Sequence, residues 1–138
     1  MNNTTDIFDK AKLEVQNLWA NHKELSNFVN FPKNLILKNL KSQKTSVTDK
    51  LFNWNKNLNT KLLELHKAIS DLSPYVNWEQ GYKEEEVGKD FLNKYGFFEL
   101  IGPSGHFKTS EMALYVNYLC ENAYYPWHNH DAEELYFI

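Results

Sequence analysis

Two histidines, a glutamate and a tyrosine near the end of the sequence have types and spacing that suit metal chemistry. His128 and His130 are two residues apart, so both imidazoles project to the same side of an extended segment. Asp131-Ala132 permits a bend, after which Glu134 can return along a neighbouring strand toward the same point, with Tyr136 facing that side again. Two imidazoles and one carboxylate leave coordination positions open, as in catalytic Fe(II), Zn and Mn sites. The motif therefore predicts an open metal site that admits substrate or water.

The residues that flank this motif decide between a metal site and a surface histidine pair, because a histidine pair followed by a glutamate also occurs by chance. Tyr124, Tyr125 and Trp127 surround Pro126 just before the histidines. A proline at this position fits an edge strand or the rim of a barrel better than a central strand. Aromatic side chains on both flanks would wall a cavity and keep bulk water from the metal.

Helical patterns occupy the first half of the chain, up to Ser73-Pro74. The first predicted helix runs from about Thr5 to Asn21, and a second, from Leu25 to Leu40, is interrupted by Pro32. A third carries the most regular apolar stripe, which consists of Val47, Leu51, Trp54, Leu58, Leu62, Leu65, Ile69 and Leu72. We expect this stripe to pack against the protein's own sheet, with a partner-binding face as the alternative.

Strand and turn patterns occupy the second half. A short helix after Glu84-Glu85-Glu86 is predicted to end at Tyr95, with Gly96 as its left-handed cap. Residues 97–101, 112–119 and 133–138 are predicted strands, and residues 102–105 form the turn that closes the first of them. The sequence therefore predicts an α+β fold, with a helical region over residues 1–73 and a strand-rich region over residues 74–138.

Charge and composition exclude several classes of protein. The net charge is −3, which argues against a nucleic-acid surface, since such surfaces need clustered cations. All fifteen basic residues are lysines, so no guanidinium fork is present to hold a carboxylate or phosphate. The single Cys120 excludes an internal disulfide. With no secretory signal and no stretch near the roughly 20 apolar residues of a membrane span, we expect a cytoplasmic protein that binds neither membranes nor nucleic acid.

The pattern of the last residues resembles a known family. HxHxxxE after a glycine-punctuated strand resembles the first motif of the cupin barrels, and Tyr125-x-x-His128-x-His130-x-x-x-Glu134-x-Tyr136 is similar to the cupin dimethylsulfoniopropionate (DMSP) lyases. The segment from Trp78 through Tyr82 and Phe91 to residues 93–107 is similar to the stretch that this family places before its barrel. The resemblance covers about Trp78 to Ile138, and the helical first half matches the family's N-terminal extension only in general character.

This resemblance implies a fold, a metal and a reaction. The fold is the start of a cupin (double-stranded β-helix) barrel, and the reaction is the elimination of dimethyl sulfide from DMSP to leave acrylate. His130, Glu134 and Tyr136 would bind a divalent Fe, Mn or Zn ion, with His128 as a further ligand or a neighbour of the metal. Tyr125 or Tyr136 would be the base. The positive sulfonium of this small zwitterion could rest against Trp127, Tyr124 or Trp78 through cation-π attraction, with plain packing as the alternative for these rings.

The family also places a later metal-binding histidine beyond the point where this sequence stops, and His106 lies too early to replace it. We therefore expect a C-terminally truncated chain with an incomplete barrel, weakened metal binding and reduced or no activity. Other cupin metalloenzymes, such as a dioxygenase or an isomerase, remain an alternative, because the HxHxxxE core serves different chemistries. A non-catalytic, small-molecule-binding cupin is a second alternative. A homodimeric state is left open.

Overall fold

The computed structural model describes residues 3–54, 61–126 and 129–138 of the chain. Its helices are α1 (Asn3–Asn21), α2 (Lys23–Phe28), α3 (Thr48–Phe52), α4 (Leu63–Leu72), α5 (Glu84–Val87) and α6 (Lys89–Leu92), with a 3₁₀ turn at Ser73–Tyr75. Its strands are β1 (Ile36–Leu37), β2 (Tyr95–Gly102), β3 (Phe107–Lys108) and β4 (Leu114–Leu119). Helices that pack with a small sheet in one core confirm the predicted α+β class.

The sheet has the order β1-β3-β2-β4, and its main ladder joins β2 to β4. These two strands run antiparallel, with Tyr95 opposite Leu119 and Glu99 opposite Tyr115. A β-bulge between Glu99 and Ile101 breaks the alternation of sides. As a result, the successive side chains of Leu100 and Ile101 are both fully buried.

A single hydrophobic core joins the N-terminal helices to one face of the sheet. Phe8, Ala11 and Val15 of α1 belong to the same buried cluster as Phe98 and Leu100 of β2. The cluster therefore includes residues from both sides of the Ser73-Pro74 position where the sequence pattern changes. The predicted helix from Thr5 to Asn21 is confirmed within α1, because its apolar stripe is the face that packs in the core.

Two of the other predicted helices are wrong in extent. The stretch from Leu25 to Leu40 contains only the short α2 and then β1, whose Ile36 pairs with Lys108 of β3. The regular apolar stripe is not one helix, since α3 ends at Phe52 and α4 begins at Leu63. Leu58 of that stripe lies outside the described residues. Val47, Leu51 and Leu72 are nevertheless buried, so the prediction that the stripe packs inside the protein is confirmed for these members.

The prediction that Gly96 caps a helix is wrong, because Tyr95 begins β2 and Gly96 lies within the strand. A Cβ atom at this position would lie 2.7 Å from Cγ2 of Val47 and 3.0 Å from Cε3 of Trp78. Gly96 is thus explained by the close approach of the core to the strand. Gly88, which separates α5 from α6, has a positive φ of +87°, a conformation that favours glycine.

Two of the three predicted strands are confirmed and one is wrong. Strand β2 contains the predicted residues 97–101, and β4 lies within the predicted residues 112–119. The strand predicted over residues 133–138 is wrong, because the described residues 129–138 contain no helix or strand. Leu135, Tyr136, Phe137 and Ile138 are all exposed, so this segment lacks the second strand and the burial that would hold it extended in a sheet. Across the described part of the chain, no helix is long and apolar enough to cross a bilayer.

Candidate active site

The site begins with the side of β2 that faces away from the core. Successive strand residues point to opposite faces, so Tyr95, Phe97 and Glu99 share one face while Gly96 and Phe98 share the other. The Phe97 ring contacts the ring of Tyr115 on β4 at 5.9 Å between centroids. The Glu99 carboxylate accepts a hydrogen bond of 2.7 Å from the backbone N–H of Ser104 in the following turn. This face of the sheet therefore carries aromatic rings and a fixed carboxylate, whereas the core face is apolar.

An aromatic cluster of four rings covers the beginning of this face, and it consists of Tyr82, Phe91, Tyr95 and Tyr125. Every pair of these rings is in contact, with centroid separations from 4.9 Å to 6.3 Å. The rings come from the loop before α5, from α6, from β2 and from the segment after β4. Aromatic pairs at these distances add to the energy of burial, so the cluster fixes Tyr125 against the sheet.

The hydroxyl of Tyr125 lies between two other tyrosine hydroxyls. It is 3.2 Å from the oxygen of Tyr82 and 3.4 Å from the oxygen of Tyr95. Burial raises the pKa of Tyr125 to about 12, and burial together with the hydrogen bond to Tyr125 raises the pKa of Tyr82 to about 12. All three hydroxyls therefore keep their protons at neutral pH, and an adjacent positive charge would be needed for one of them to act as a base.

Glu134 joins two of the predicted metal ligands. One of its carboxylate oxygens, Oε1, is 2.9 Å from Nε2 of His130, and the other, Oε2, accepts a hydrogen bond of 2.7 Å from the Tyr136 hydroxyl. This hydrogen bond, followed by burial, raises the pKa of Tyr136 to about 12. The three side chains meet although their segment is irregular, because spacings of four and two residues already place them within reach of one another.

The charge of Glu134 also connects this group to the aromatic cluster. Burial is the largest cause of the raised pKa of Tyr82, Tyr95 and Tyr125, and the negative charge of Glu134 contributes to each of the three. Burial, Glu99 and Glu134 likewise raise the pKa of Tyr115. The negative charge of Glu134 thus acts on Tyr125 and on the aromatic face of β2, as one of the smaller contributions to these raised pKa values.

The donor atoms of this group fit a divalent metal. An imidazole nitrogen, a carboxylate and a phenol oxygen are ligand types that Fe, Mn and Zn accept. Within the described residues, no group of three or more His, Cys, Asp or Glu side chains is close enough to hold an ion. Among the predicted ligands that the structure describes, the third donor beside His130 and Glu134 is the hydroxyl of Tyr136, which lies against the Glu134 carboxylate. The predicted fourth donor, His128, lies outside the described residues.

The three residues predicted to hold a sulfonium group lie in different surroundings. Trp78 is fully buried in the core, where its indole N–H donates to the carbonyl of Ser73 at 2.9 Å and its ring contacts Phe98. It therefore lies on the opposite face of β2 from the tyrosines. Tyr124 is 73% exposed, and Trp127 lies outside the described residues. The structure does not bring Trp78 to the site.

Several residues of this face were assigned no role from the sequence, and they are Tyr82, Tyr95, Phe97, Glu99 and Tyr115. A signal for three of them was present, because Tyr95, Phe97 and Glu99 alternate with glycine and apolar residues. Such alternation is typical of a strand with two unlike faces. The expectation that Tyr95 ended a helix concealed this pattern.

Comparison with known proteins shows which family this chain is similar to. The sequence profile of the dimethylsulfoniopropionate lyase family matches residues 37–138. Over 138 residues the chain is 28% identical to the dimethylsulfoniopropionate lyase DddQ of Ruegeria pomeroyi, an alignment that covers 100% of this chain and 69% of the relative. It is 32% identical over 73 residues to the putative dimethylsulfoniopropionate lyase DddL of Cereibacter sphaeroides, covering 52% of this chain and 31% of the relative.

Two solved structures have the same fold. The crystal structure of DMSP lyase DddQ from Ruegeria pomeroyi DSS-3 superposes with a TM-score of 0.83 at 25% identity, over 91% of this chain. A structure from work on the DMSP lyases RdDddP and RnDddQII gives a TM-score of 0.79 at 29% identity, over 84% of this chain. This chain covers less than two thirds of each, 64% and 60% respectively. Because the family profile covers well over half of the chain, the protein belongs to the dimethylsulfoniopropionate lyase family.

Proposed function

We propose that this chain is a metal-dependent lyase that cleaves DMSP to dimethyl sulfide and acrylate by β-elimination. The observation that carries the proposal is the position of Glu134, whose carboxylate contacts both His130 and Tyr136. The charge of Glu134 also contributes, after burial and hydrogen bonding, to the raised pKa of Tyr125, and this supports placing the predicted ligands and the Tyr125 phenol in one site. Membership of the family and the match to solved DMSP lyases support the same activity.

His130, Glu134 and Tyr136 would hold the divalent Fe, Mn or Zn ion, together with His128. When bound, such an ion supplies positive charge that polarises a substrate carboxylate and favours a nearby phenolate. The requirement for this charge follows from the raised pKa of Tyr125, whose ionisation burial opposes. The proposal therefore depends on the loaded form of the protein.

Tyr125 is the base in this proposal. The Tyr136 oxygen is already held by Glu134, whereas the Tyr125 oxygen faces other hydroxyls. As a phenolate, the Tyr125 oxygen takes a proton from the carbon next to the substrate carboxylate and becomes a neutral phenol. The electrons of that C–H bond form the carbon–carbon double bond of acrylate, and the C–S bond breaks with its electron pair leaving on sulfur. Dimethyl sulfide departs as a neutral molecule, so the leaving group needs no acid.

The aromatic face of β2 supplies a place for the sulfonium group. Phe97 and Tyr115 are in ring contact beside the carboxylate of Glu99, so a cation on this face meets ring faces and a negative charge. Each cation-π contact would contribute about 0.5 to 2 kcal/mol. Tyr124 and Trp127 remain candidates for further contacts, but Trp78 in the core does not.

The decisive experiment measures dimethyl sulfide release from DMSP after loading with Fe, Mn or Zn. We expect Tyr125→Phe to lower turnover by about 100-fold or more, as for loss of a general base. Tyr118→Phe is the matched control, because it removes a hydroxyl from a half-buried tyrosine that packs against the core. Absence of dimethyl sulfide from every metal-loaded form, or equal rates in the two variants, would contradict the proposal.

A further inference from the structure

The hydroxyl of Tyr82 contacts Tyr125 from the outer side of the aromatic cluster. The two oxygens are 3.2 Å apart, and the residues are 43 positions apart in the sequence. On its other side, Tyr125 faces the hydroxyl of Tyr95, a residue only 3% exposed, at 3.4 Å. A phenol has one proton to donate but can accept as well. If Tyr125 donates to the buried Tyr95, Tyr82 must be the donor to Tyr125.

The backbone around Tyr82 is fixed on both sides. Before it, Glu79 and Phe97 exchange two backbone hydrogen bonds of 2.7 Å and 2.8 Å, which attach the loop to β2. Gly81 then turns the chain with a φ of +71°, where a Cβ atom would lie 2.9 Å from the Phe97 ring. After it, the backbone N–H of Lys83 donates to the Glu86 carboxylate at 2.9 Å. Tyr82 is therefore held in place by structure on each side of it.

Ring packing holds the side chain of Tyr82 independently of its hydroxyl. Its ring contacts Tyr95 at 5.9 Å, Phe91 at 6.0 Å and Tyr125 at 6.3 Å between centroids. A phenylalanine at this position would keep all three contacts. The hydroxyl can thus be removed without removing the packing, which makes its role separable by experiment.

We infer that Tyr82 is a positioning residue, which donates a hydrogen bond to the Tyr125 oxygen and holds it at the point where it meets substrate. The inference gives Tyr82 a part in the reaction only if the proposed lyase function holds. A donor directed at an oxygen stabilises negative charge on it, and such charge-assisted bonds are stronger than neutral ones. The hydrogen bond from Tyr82 accordingly lowers the pKa of Tyr125, against the larger effect of burial, which raises it.

The first test needs no turnover. We would introduce 3-fluorotyrosine at Tyr125 of the full 138-residue chain and follow its ¹⁹F resonance against pH, because fluorination lowers the pKa of a phenol into an accessible range. Tyr82→Phe is expected to raise the midpoint by about one pH unit, the size expected when a hydrogen bond to a charged group is lost. Tyr118→Phe, with the same change on the core side of β4, should leave the midpoint unchanged. An unmoved midpoint in Tyr82→Phe would overturn the inference.

The second test uses the metal-loaded chain and DMSP. Tyr82→Phe should lower kcat about tenfold and move the pH–rate profile to higher pH, with KM changed less than about twofold. An unmoved kcat in an active parent would overturn the inference and leave the lyase proposal intact. If the parent releases no dimethyl sulfide while the ¹⁹F midpoint still moves in Tyr82→Phe, the lyase proposal fails and the contact between the two tyrosines stands.

Discussion

The two faces of β2 are formed by alternate residues of one strand, yet one packs in the core and the other carries the proposed site. On the core face, Phe98 and Leu100 are fully buried against the helices, and Gly96 leaves room for Val47 and Trp78. On the site face, Tyr95 contacts Tyr125 and Phe97 contacts Tyr115. The Glu99 carboxylate accepts a hydrogen bond from Ser104. The same eight-residue strand thus contributes residues both to the hydrophobic core and to the proposed site.

The difference shows how an open site remains ordered. Apolar burial on one face fixes the strand, since each fully buried aromatic side chain contributes several kcal/mol. The other face can then hold hydroxyls and a carboxylate that contribute less to the stability of the fold than the buried apolar residues do. Changes on the core face should therefore reduce stability, whereas changes on the site face should reduce chemistry.

The largest expected effect comes from a matched pair on β2. Phe98→Ala should lower the free energy of unfolding by about 3 to 5 kcal/mol, because it leaves a cavity in the core. Phe97→Ala should lower it by only about 1 to 2 kcal/mol, because that ring is partly exposed, and should weaken DMSP binding. Urea unfolding measures the free energy of unfolding, and titration calorimetry measures DMSP binding. Equal losses of stability in both variants would break the comparison between the faces.

Glu134→Gln tests the metal-ligand group on the site side. It should lower the affinity for Fe, Mn or Zn by about 100-fold or more, beyond the ~10–100-fold typical of a residue outside the ligand shell. The unfolding free energy should change little, because Glu134 lies in an exposed irregular segment. Glu133→Gln removes an adjacent exposed carboxylate and serves as the control in calorimetric titrations with metal. If both variants bind metal as the parent does, Glu134 is not a ligand.

His106, on the core side, should make the stability of the folded protein depend on pH. His106 is 2% exposed, its imidazole contacts the tilted ring of Phe8 at 4.9 Å between centroids, and it accepts a hydrogen bond from the backbone N–H of Asn77. Burial lowers its pKa from 6.5 to about 4. The folded state then binds fewer protons than the unfolded state between these values, so stability should fall as the pH decreases from 6.5 to 4, by up to about 2 to 3 kcal/mol.

Comparison with His106→Gln isolates this effect from the titration of carboxylates. The variant's amide oxygen can still accept from Asn77, but it carries no proton-binding group in this range. Unfolding free energies at pH 7 and pH 4.5 should differ by less in the variant than in the parent. Parallel pH curves for the two proteins would show that His106 is not responsible.

The smallest expected effect comes from Gly96→Ala, which should lower stability by about 1 to 2 kcal/mol through overpacking against Val47 and Trp78. Combining it with Val47→Ala should give a loss smaller than the sum of the two single losses, since the second change removes the methyl group that is met first. Thermal or urea unfolding of the four proteins measures the coupling. Additive losses would mean that the contact with Val47 does not explain the glycine at position 96.

Local sequence determined the features whose partners lie within a few positions. The stripe of α1 follows from helical spacing, and β2 and β4 follow from dense apolar residues between turns. The meeting of His130, Glu134 and Tyr136 follows from their short spacing, although the strand expected to present them did not form. Their assignment as metal ligands remains a prediction.

Tertiary structure decided the contacts between residues far apart in the chain. Spacing alone did not show that Tyr82 and Tyr95 would reach the hydroxyl of Tyr125, 43 and 30 positions away, or that Trp78 would pack on the core face of β2. Nor did it show that Gly96 would lie inside a strand. The physical reason is that periodicity reports which residues share a face of their own element, whereas the neighbours of that face depend on how the elements pack.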